Sequence, residues 1–462
     1  MEDSAAKKTG AGGATSPTGD DGLPPLRKNR DFLRLWIGAG STLLGTGVAT
    51  ATYPLLIIWF TGSAIGAGLV GFAAMLPRLL VQLPAGVLVD RWDRRRLMIT
   101  CDVLGLLTMG SVAAALVMDR FWLPHIMAAA FVQGSAAIFY RLAERAAVRN
   151  VVHPEHLSAA LSQNEARGQA AALVGQPVAG SLFTAVKWLP FLFAAVAHLV
   201  ALLTLLPIKK KFQLARVAEP RRIRTELAEG FVWVWRQRFV RDASVLIALT
   251  NLVFQVLGLA LIVLVKDGGG SPMAVGTMGA VAGVGGILGA LTGSWWIKRL
   301  TPFSTLVGTV LAWAALMAPM AFTSDPFILG GLYAGMNYAA ALMGVAGGLY
   351  QIQITPDEMQ GRVTSVGALL ASGANSAGAM AGGFLLAAFG AATTVLGAAA
   401  AMLVMAVGAA LSPGIRSARD ISLVTLTETG SEPEPEPEPG SEPKSEPEPV
   451  VGASKAGQTL PS

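Results

Sequence analysis

Residues 86–96 read Gly86-Val87-Leu88-Val89-Asp90-Arg91-Trp92-Asp93-Arg94-Arg95-Arg96. Gly86 lets two helices approach closely. Asp90 can face the positive N-terminal end of another helix, and Arg91, Arg94 and Arg95 can hold a membrane surface. That pattern is suited to holding helices together at a membrane surface rather than to making or breaking bonds. Twelve residues before Asp90, Arg78 stands between Pro77 and Pro84 in an otherwise uncharged run. Along a straight helix the separation is about 18 Å. If the run crosses a bilayer, the guanidinium lies at mid-depth, where a charge costs about 3 kcal/mol or more unless compensated. Arg78 is therefore expected to face a central cavity, binding substrate or balancing charge. A structural ion pair is the alternative, with Asp102 or Glu165 as partner.

Asp102, Glu165 and Glu144 are the acids expected within the helices of the first half. A buried carboxylate is the usual proton carrier, because burial brings its titration into the working range. Asp102 could instead pair with the arginines that follow Asp90. Arg141 and Arg145 flank Glu144 at i−3 and i+1, which favours a local ion pair. Asn251 and Gln255 lie one turn apart, and Asn337 and Asn375 follow on later helices. Each could hydrogen-bond a substrate in a cavity, or another helix equally well.

Other chemistries find little support. No Gly-Lys-Ser/Thr phosphate loop occurs, which argues against ATP drive within the chain, and no nucleophile motif or catalytic pair stands out. Cys101 is the only cysteine, so an internal disulfide is impossible and thiol chemistry is not expected. The histidines, His125, His153, His156 and His198, are scattered. His153 and His156 flank Pro154 without a third ligand type nearby, so a boundary role is expected and no metal. No cofactor is implied.

The elements that must position these residues are membrane helices. Charged residues make up 14% of the chain and hydrophobic ones 53%, against about 25% charged in soluble domains. Residues 326–355 hold no Asp, Glu, Lys, Arg or His. A bilayer core needs roughly 20 apolar residues per helix, and runs of that length recur. Six are expected near 33–60, 64–89, 97–118, 122–146, 158–186 and 188–207. Six more follow near 243–265, 273–297, 303–323, 326–350, 361–389 and 391–411. The fold class is an all-α membrane protein, with about twelve transmembrane helices in two pseudo-symmetric six-helix bundles. No apolar signal region precedes Phe32.

The Lys/Arg distribution orients the chain. With a cytoplasmic N-terminus, one side receives Lys7, Lys8, Arg27, Lys28, Arg30, the Arg91–Arg96 cluster, Arg141, Arg145, Arg149, the stretch Lys209–Arg241, Lys298, Arg299, Arg362, Arg416 and Arg419. The other side receives Arg120, Lys187 and Lys266. Both termini are thus expected to be cytoplasmic in a multi-pass protein of a bacterial cell membrane. Residues 421–462 carry two basic and eight acidic groups, leaving 33 basic against 21 acidic elsewhere. That excess is topology and implies no nucleic-acid partner. The expected divisions are a disordered N-terminus (1–31), a first bundle (32–207), a basic linker (208–242), a second bundle (243–412) and a disordered acidic tail (413–462). In the linker, Leu227, Phe231, Val234 and Trp235 share a helical face away from Arg222, Glu226, Glu229 and Arg236, which reads as an interfacial helix. Glu432 to Pro449 is a Glu-Pro repeat expected to be extended and solvated.

The halves repeat. Pro154-Glu155-His156-Leu157 precedes a helix with Gly175 and Gly180. Pro356-Asp357-Glu358-Met359 precedes one with Gly378, Gly382 and Gly383. Internal duplication is common in transporters. The 86–96 loop resembles the G-x-x-x-D-R-x-G-R-R signature of the major facilitator superfamily, with Asp93 at the second glycine. The corresponding second-half loop, Gly293-Ser294-Trp295-Trp296-Ile297-Lys298-Arg299, lacks the Asp. Gly175-Gln176-Pro177-Val178-Ala179-Gly180 resembles the antiporter signature G-P-x-x-G-G. Gln133-Gly134 resembles the end of R-x-x-Q-G, with Ala130 at the arginine's place. The Asp-Arg-x-Asp-Arg-Arg loop is similar to that of the enterobactin exporter-like and macrolide efflux-like branch.

That resemblance, covering about residues 31–415, implies a monomeric secondary exporter of a small hydrophobic or amphipathic natural product, antibiotic or siderophore. Alternating access and proton coupling, as in an antiporter, are implied with it. It also implies that Asp90 meets the start of the eleventh helix, near Gly361 and Arg362, when the cytoplasmic side closes. Ala130 implies coupling through other groups, or none by protons. Uptake of a small solute and a membrane-embedded enzyme or assembly factor are the competing readings.

Overall fold

The computed structural model describes residues 26–208, 212 and 223–419. The expectations for residues 1–25, Lys209-Lys210-Lys211, Arg222 and the Glu-Pro repeat lie outside them. The described chain is helical throughout. The first half comprises α1 (Arg30–Thr61), α2 (Ala64–Leu80), α3 (Gln82–Arg91), α4 (Arg94–Val117), α5 (Leu123–Val151), α6 (Leu157–Ala185) and α7 (Leu189–Leu205). A linker helix, α8 (Ile223–Arg236), leads into α9 (Arg238–Asp267), α10 (Pro272–Ile297), α11 (Pro302–Met320), α12 (Pro326–Ile354), α13 (Asp357–Phe389) and α14 (Ala391–Leu411).

Among the described residues nine helices are long and apolar enough to cross a bilayer, and the α2–α3 pair, bent by 61°, counts as a tenth. α6 has the length, but Gln163, Asn164, Glu165, Arg167 and Gln169 dilute its apolar content. α7 is apolar but has 17 residues, about 25 Å of helix. With these two the spans number twelve. Leu107, Leu203, Leu291, Val404 and Leu411 point outward and are largely exposed, an apolar surface of the kind a bilayer covers.

Local signals set the ends. Asn29 caps α1 by accepting from the Phe32 amide, and Asp93 caps α4 through the Arg96 amide at 2.8 Å. The aspartate that replaces the signature's second glycine therefore has a structural task. Gly62 and Gly390 close α1 and α13 in left-handed backbone (φ 69° and 74°), a region costly for residues with a Cβ.

Three boundaries differ from the sequence reading. Leu26–Lys28 form a 3₁₀ turn with Leu26 buried, so the order begins before residue 31. Pro413–Arg416 form a further short helix, and Ser412 donates to Asp242 at 2.6 Å, so residues 413–419 are not tail. α9 starts at Arg238, five residues inside the expected linker, because Gln237 alone separates it from α8.

The helix ends bearing Arg30, Arg94 and Arg238 are termed the basic end, and the opposite ends the far end. Across the halves, α2 packs on α13 and α6 on α10. These crossings are backbone-close. A Cβ on Gly68 would sit 2.8 Å from the Ala379 oxygen and Gly383 Cα, and one on Gly180 would lie 3.1 Å from Gly276 Cα. Lys266 donates to the Ile58 carbonyl at 2.5 Å, and the Met273 amide to Thr184 Oγ1 at 2.9 Å. The seam is thus tight toward the far end. Toward the basic end α2 bends into α3, whose principal neighbours are α5, α2 and α4.

Candidate functional site

Between the halves lies a cavity of about 630 Å³. The first half lines it with Thr46, Thr50, Tyr53, Met75, Arg78 and Gln176, the second with Gln255, Leu259, Ile262, Met278 and Tyr333. Small residues, among them Gly47, Gly71, Gly168, Gly175 and Gly258, leave the space open. The surface is mostly apolar with a few polar groups, as expected for a small-molecule site.

Arg78 lies in the last turn of α2, its side chain exposed to this cavity. The straight-helix distance to Asp90 fails because the chain breaks at Val81 and turns by 61°. The expected partners are elsewhere: Glu165 is exposed and accepts from Gln169 at 3.1 Å, one turn along α6. The charge within reach of Arg78 is a second cation, Arg141. Among the described residues no ion pair or hydrogen bond engages Arg78.

The amides divide. Gln255 donates to Asn375 Oδ1 at 3.2 Å, joining α9 to α13 beside the cavity. Gln176 lines the cavity and presses on Gly279 of α10. Asn251 is half-buried one turn from Gln255. Asn337 turns away from the cavity: its amide donates to the Tyr333 carbonyl at 2.8 Å, and its Cβ faces Gly286.

Asp102 meets neither Arg78 nor the arginines after Asp90. It is fully buried, accepting at Oδ1 from Thr42 Oγ1 (2.7 Å) and His198 Nδ1 (2.9 Å). His198 Nε2 lies 2.9 Å from Gln133 Nε2, which donates onward to Thr46 Oγ1 at 3.0 Å. Sequence reasoning missed His198. The available signal was an imidazole in the middle of an otherwise uncharged span. Glu144 also departs from expectation, pairing at 2.5 Å with Arg167 of α6 instead of with Arg141 or Arg145. Arg167 further donates to the Trp36 carbonyl at 3.0 Å, tying α1, α5 and α6 together.

At the basic end, Asp90 is exposed and lies 3.7 Å from Arg94. Arg94 donates to the Phe212 carbonyl (3.2 Å) and Arg95 to the Leu206 carbonyl (2.8 Å). Arg91 is exposed. A Cβ on Gly86 would meet nothing within 4 Å, so this conformation does not use the close approach expected there. Arg362 is held by Glu229 of α8 at 2.6 Å, and a Cβ on Gly230 would sit 3.0 Å from Arg362. The linker helix thus docks on the start of α13, with Val234 buried against Val363 and Val366. Phe231 and Trp235, also expected on its apolar face, stack on one another and stay half-exposed. Gly180 and Gly383 line the two cross-half seams, while Gly382 faces Val256 within the second half. Gly175 lies against Gly47 of α1, and Pro177 sits inside the continuous α6 beside Gly276.

Comparison with known proteins places this geometry. The profile described as Major Facilitator Superfamily matches residues 35–352. The multidrug efflux pump Tap of Mycolicibacterium fortuitum is 25% identical over 406 residues, covering 83% of this chain and 95% of that protein. Among solved structures, the nucleoside transporter NupG superposes with a TM-score of 0.68 at 13% identity, over 82% of this chain and 98% of NupG. A bacterial homolog of the human lysosomal transporter Spinster superposes at 0.61 and 14% identity, over 88% of this chain and 98% of its own. These two likenesses concern the fold. The chain belongs to the Major Facilitator Superfamily, and its role is membrane transport rather than catalysis.

Proposed function

We propose that this member of the superfamily is a secondary active exporter that moves an amphipathic small molecule out of a bacterial cell by alternating access. The observation that carries the reading is the cavity between the halves, largely apolar and presenting Arg78 as a cation with no counter-ion among the described residues. An uncompensated charge in such a site is best satisfied by the cargo, so a substrate with an apolar body and an anionic group suits it. The similarity to Tap supports the outward direction. Proton coupling is part of the proposal.

The Lys/Arg bias supports a cytoplasmic basic end with both termini inside. The tight far-end seam then describes an inward-facing state. The bundles, residues 32–207 and 243–412, would rock about that seam, with the chain acting as a monomer. Asp90 and the Gly86 loop would lock onto α13 near Gly361 when the basic end closes, once Arg362 leaves Glu229.

Vesicles test this. Norfloxacin, a fluorescent amphiphile bearing a carboxylate, should accumulate in inverted vesicles containing the protein under an inward-acid pH gradient. Arg78→Gln should lose most of that accumulation. Accumulation only in right-side-out vesicles would replace export by uptake, and preference for a permanent cation such as ethidium would overturn the anionic cargo.

A further inference from the structure

Four helices of the first half bring together polar side chains that the export reading leaves unused. Asp102 (α4), His198 (α7), Gln133 (α5) and Thr42 and Thr46 (α1) form one hydrogen-bonded chain, and its end residue, Thr46, lines the central cavity. Asp102, His198 and Gln133 are buried to 2% exposure or less. Such a cluster is costly in a membrane bundle unless it serves a purpose. Its bonding is also incomplete: Asp102 Oδ2 and Gln133 Oε1 are buried and accept no hydrogen bond in this arrangement. The ring of His198 is seated on Gly105, where a Cβ would come within 2.6 Å of it.

Donor and acceptor logic defines the protonation state. Gln133 presents its NH₂ to His198, so Nε2 accepts and the ring proton sits on Nδ1, aimed at the Asp102 carboxylate. The pair then carries one negative charge. A proton arriving on Nε2 makes a neutral carboxylate–imidazolium pair, and the new N–H needs an acceptor. A half-turn of the Gln133 amide supplies it, placing Oε1 against Nε2. Thr46, until then an acceptor from Gln133, must reverse and donate. One rotating amide thereby relays the proton state of a buried pair to a hydroxyl at the cavity wall. The other ionisable groups facing the pair are Cys101 on α4, and Tyr140 and Glu144 on α5 with Arg167 of α6 closing on Glu144. α1 and α7 bring no further ionisable side chain at this level.

We propose that Asp102 and His198 form the proton-carrying site of this transporter, loaded and emptied from the central cavity through Gln133 and Thr46. The proton is taken from cavity water onto His198 Nε2 and returned to cavity water after the halves have rocked, so no other reactant is required. This site takes the place that Ala130 leaves empty in the helix-four pattern, and it rests on the proton-coupled export reading.

Two measurements that need no substrate keep the outcomes apart. Protein labelled with ¹⁵N-histidine in lipid nanodiscs, with His125, His153 and His156 replaced by Gln, reports the His198 ring by NMR between about pH 5 and 9. The expected result is an Nδ1–H tautomer at high pH and a doubly protonated ring at low pH. Spin labels at the basic ends of the two halves should show a separation that changes with pH. His198→Gln, Asp102→Asn and Thr46→Val should each remove the response, while Thr46→Ser keeps it. A ring that stays singly protonated throughout, or a folded His198→Gln protein with an unchanged pH response, overturns the proposal. In vesicles, His198→Gln should lower pH-driven norfloxacin accumulation about tenfold and leave gradient-free exchange within about twofold. If norfloxacin is not moved at all while the NMR and spin-label responses persist, the export reading fails and the proton site stands. If pH-driven accumulation survives His198→Gln, the proton site fails and export stands.

Discussion

Arg362, one turn into α13, donates to Glu229 of the linker helix at 2.6 Å, while Asp90, the carboxylate expected beside it, lies 3.7 Å from Arg94. The start of α13 is thus held by the linker, while Asp90, in the last turn of α3, is the acid that the family resemblance implies there. In the present conformation the linker has it. A switch between the two would couple the linker's position to the state of the basic end.

Glu229→Gln tests that coupling. The pair is partly exposed, with side chains 35% and 49% accessible, so its loss should cost under about 1 kcal/mol of stability. The thermal midpoint should hardly move. Spin-label distances between the α3–α4 loop and α13 should nevertheless shift toward the closed basic end, and Asp90→Asn should reverse that shift.

The far-end seam depends on backbone contact. Gly180→Val would push a side chain into Pro272 and Gly276, and Gly68→Val one into Ala379 and Gly383. Each should separate the halves at that end and reduce transport at least about tenfold, since overpacking by one to three kcal/mol suffices to shift a two-state balance. Cys101 is buried, so a cysteine introduced at Ala64 can be labelled against a low background. Its labelling should accelerate in both variants.

The buried Glu144–Arg167 pair is a stability element. Arg167→Met leaves a carboxylate buried without its partner and should cost about 3–5 kcal/mol, read as a loss of thermal midpoint in detergent. Arg167→Met combined with Glu144→Gln should recover much of that loss. Equal midpoints for the single and double variants would remove the pair from the stability account.

Arg78 is expected to act on the cargo. Arg78→Gln should raise the KM for norfloxacin about ten- to a hundredfold, the scale of one charge-assisted hydrogen bond, with a smaller effect of Arg78→Lys. A change confined to kcat would instead assign Arg78 to the conformational cycle.

Much of the architecture was legible along the chain. Apolar runs of span length, the Lys/Arg asymmetry and the paired Pro-Glu and Pro-Asp motifs each depend on local composition, which lipid reads directly. The class of fold and the tract 86–96 followed from them. Arg78 was singled out by the cost of a charge in an apolar run, and it does line the cavity. The bend at Val81 was not legible, although Pro84 stood nearby, because a proline marks a possible break without setting its angle. Nor could spacing show that Asn337 bonds to its own helix while Gln255 reaches Asn375.

The residues 86–96 declared their chemistry by type and order, and that pointed to the family which the profile match then showed. Which acid holds Arg362, which base meets Asp102 and which cation meets Glu144 were decided by the tertiary structure alone. His198 lies 96 residues from Asp102, and Arg167 lies on a different helix from Glu144. Helix periodicity tells which side chains share a face of one helix. The rotation and crossing of neighbouring helices select the partner, and those are set by many weak glycine and alanine contacts summed over the whole bundle.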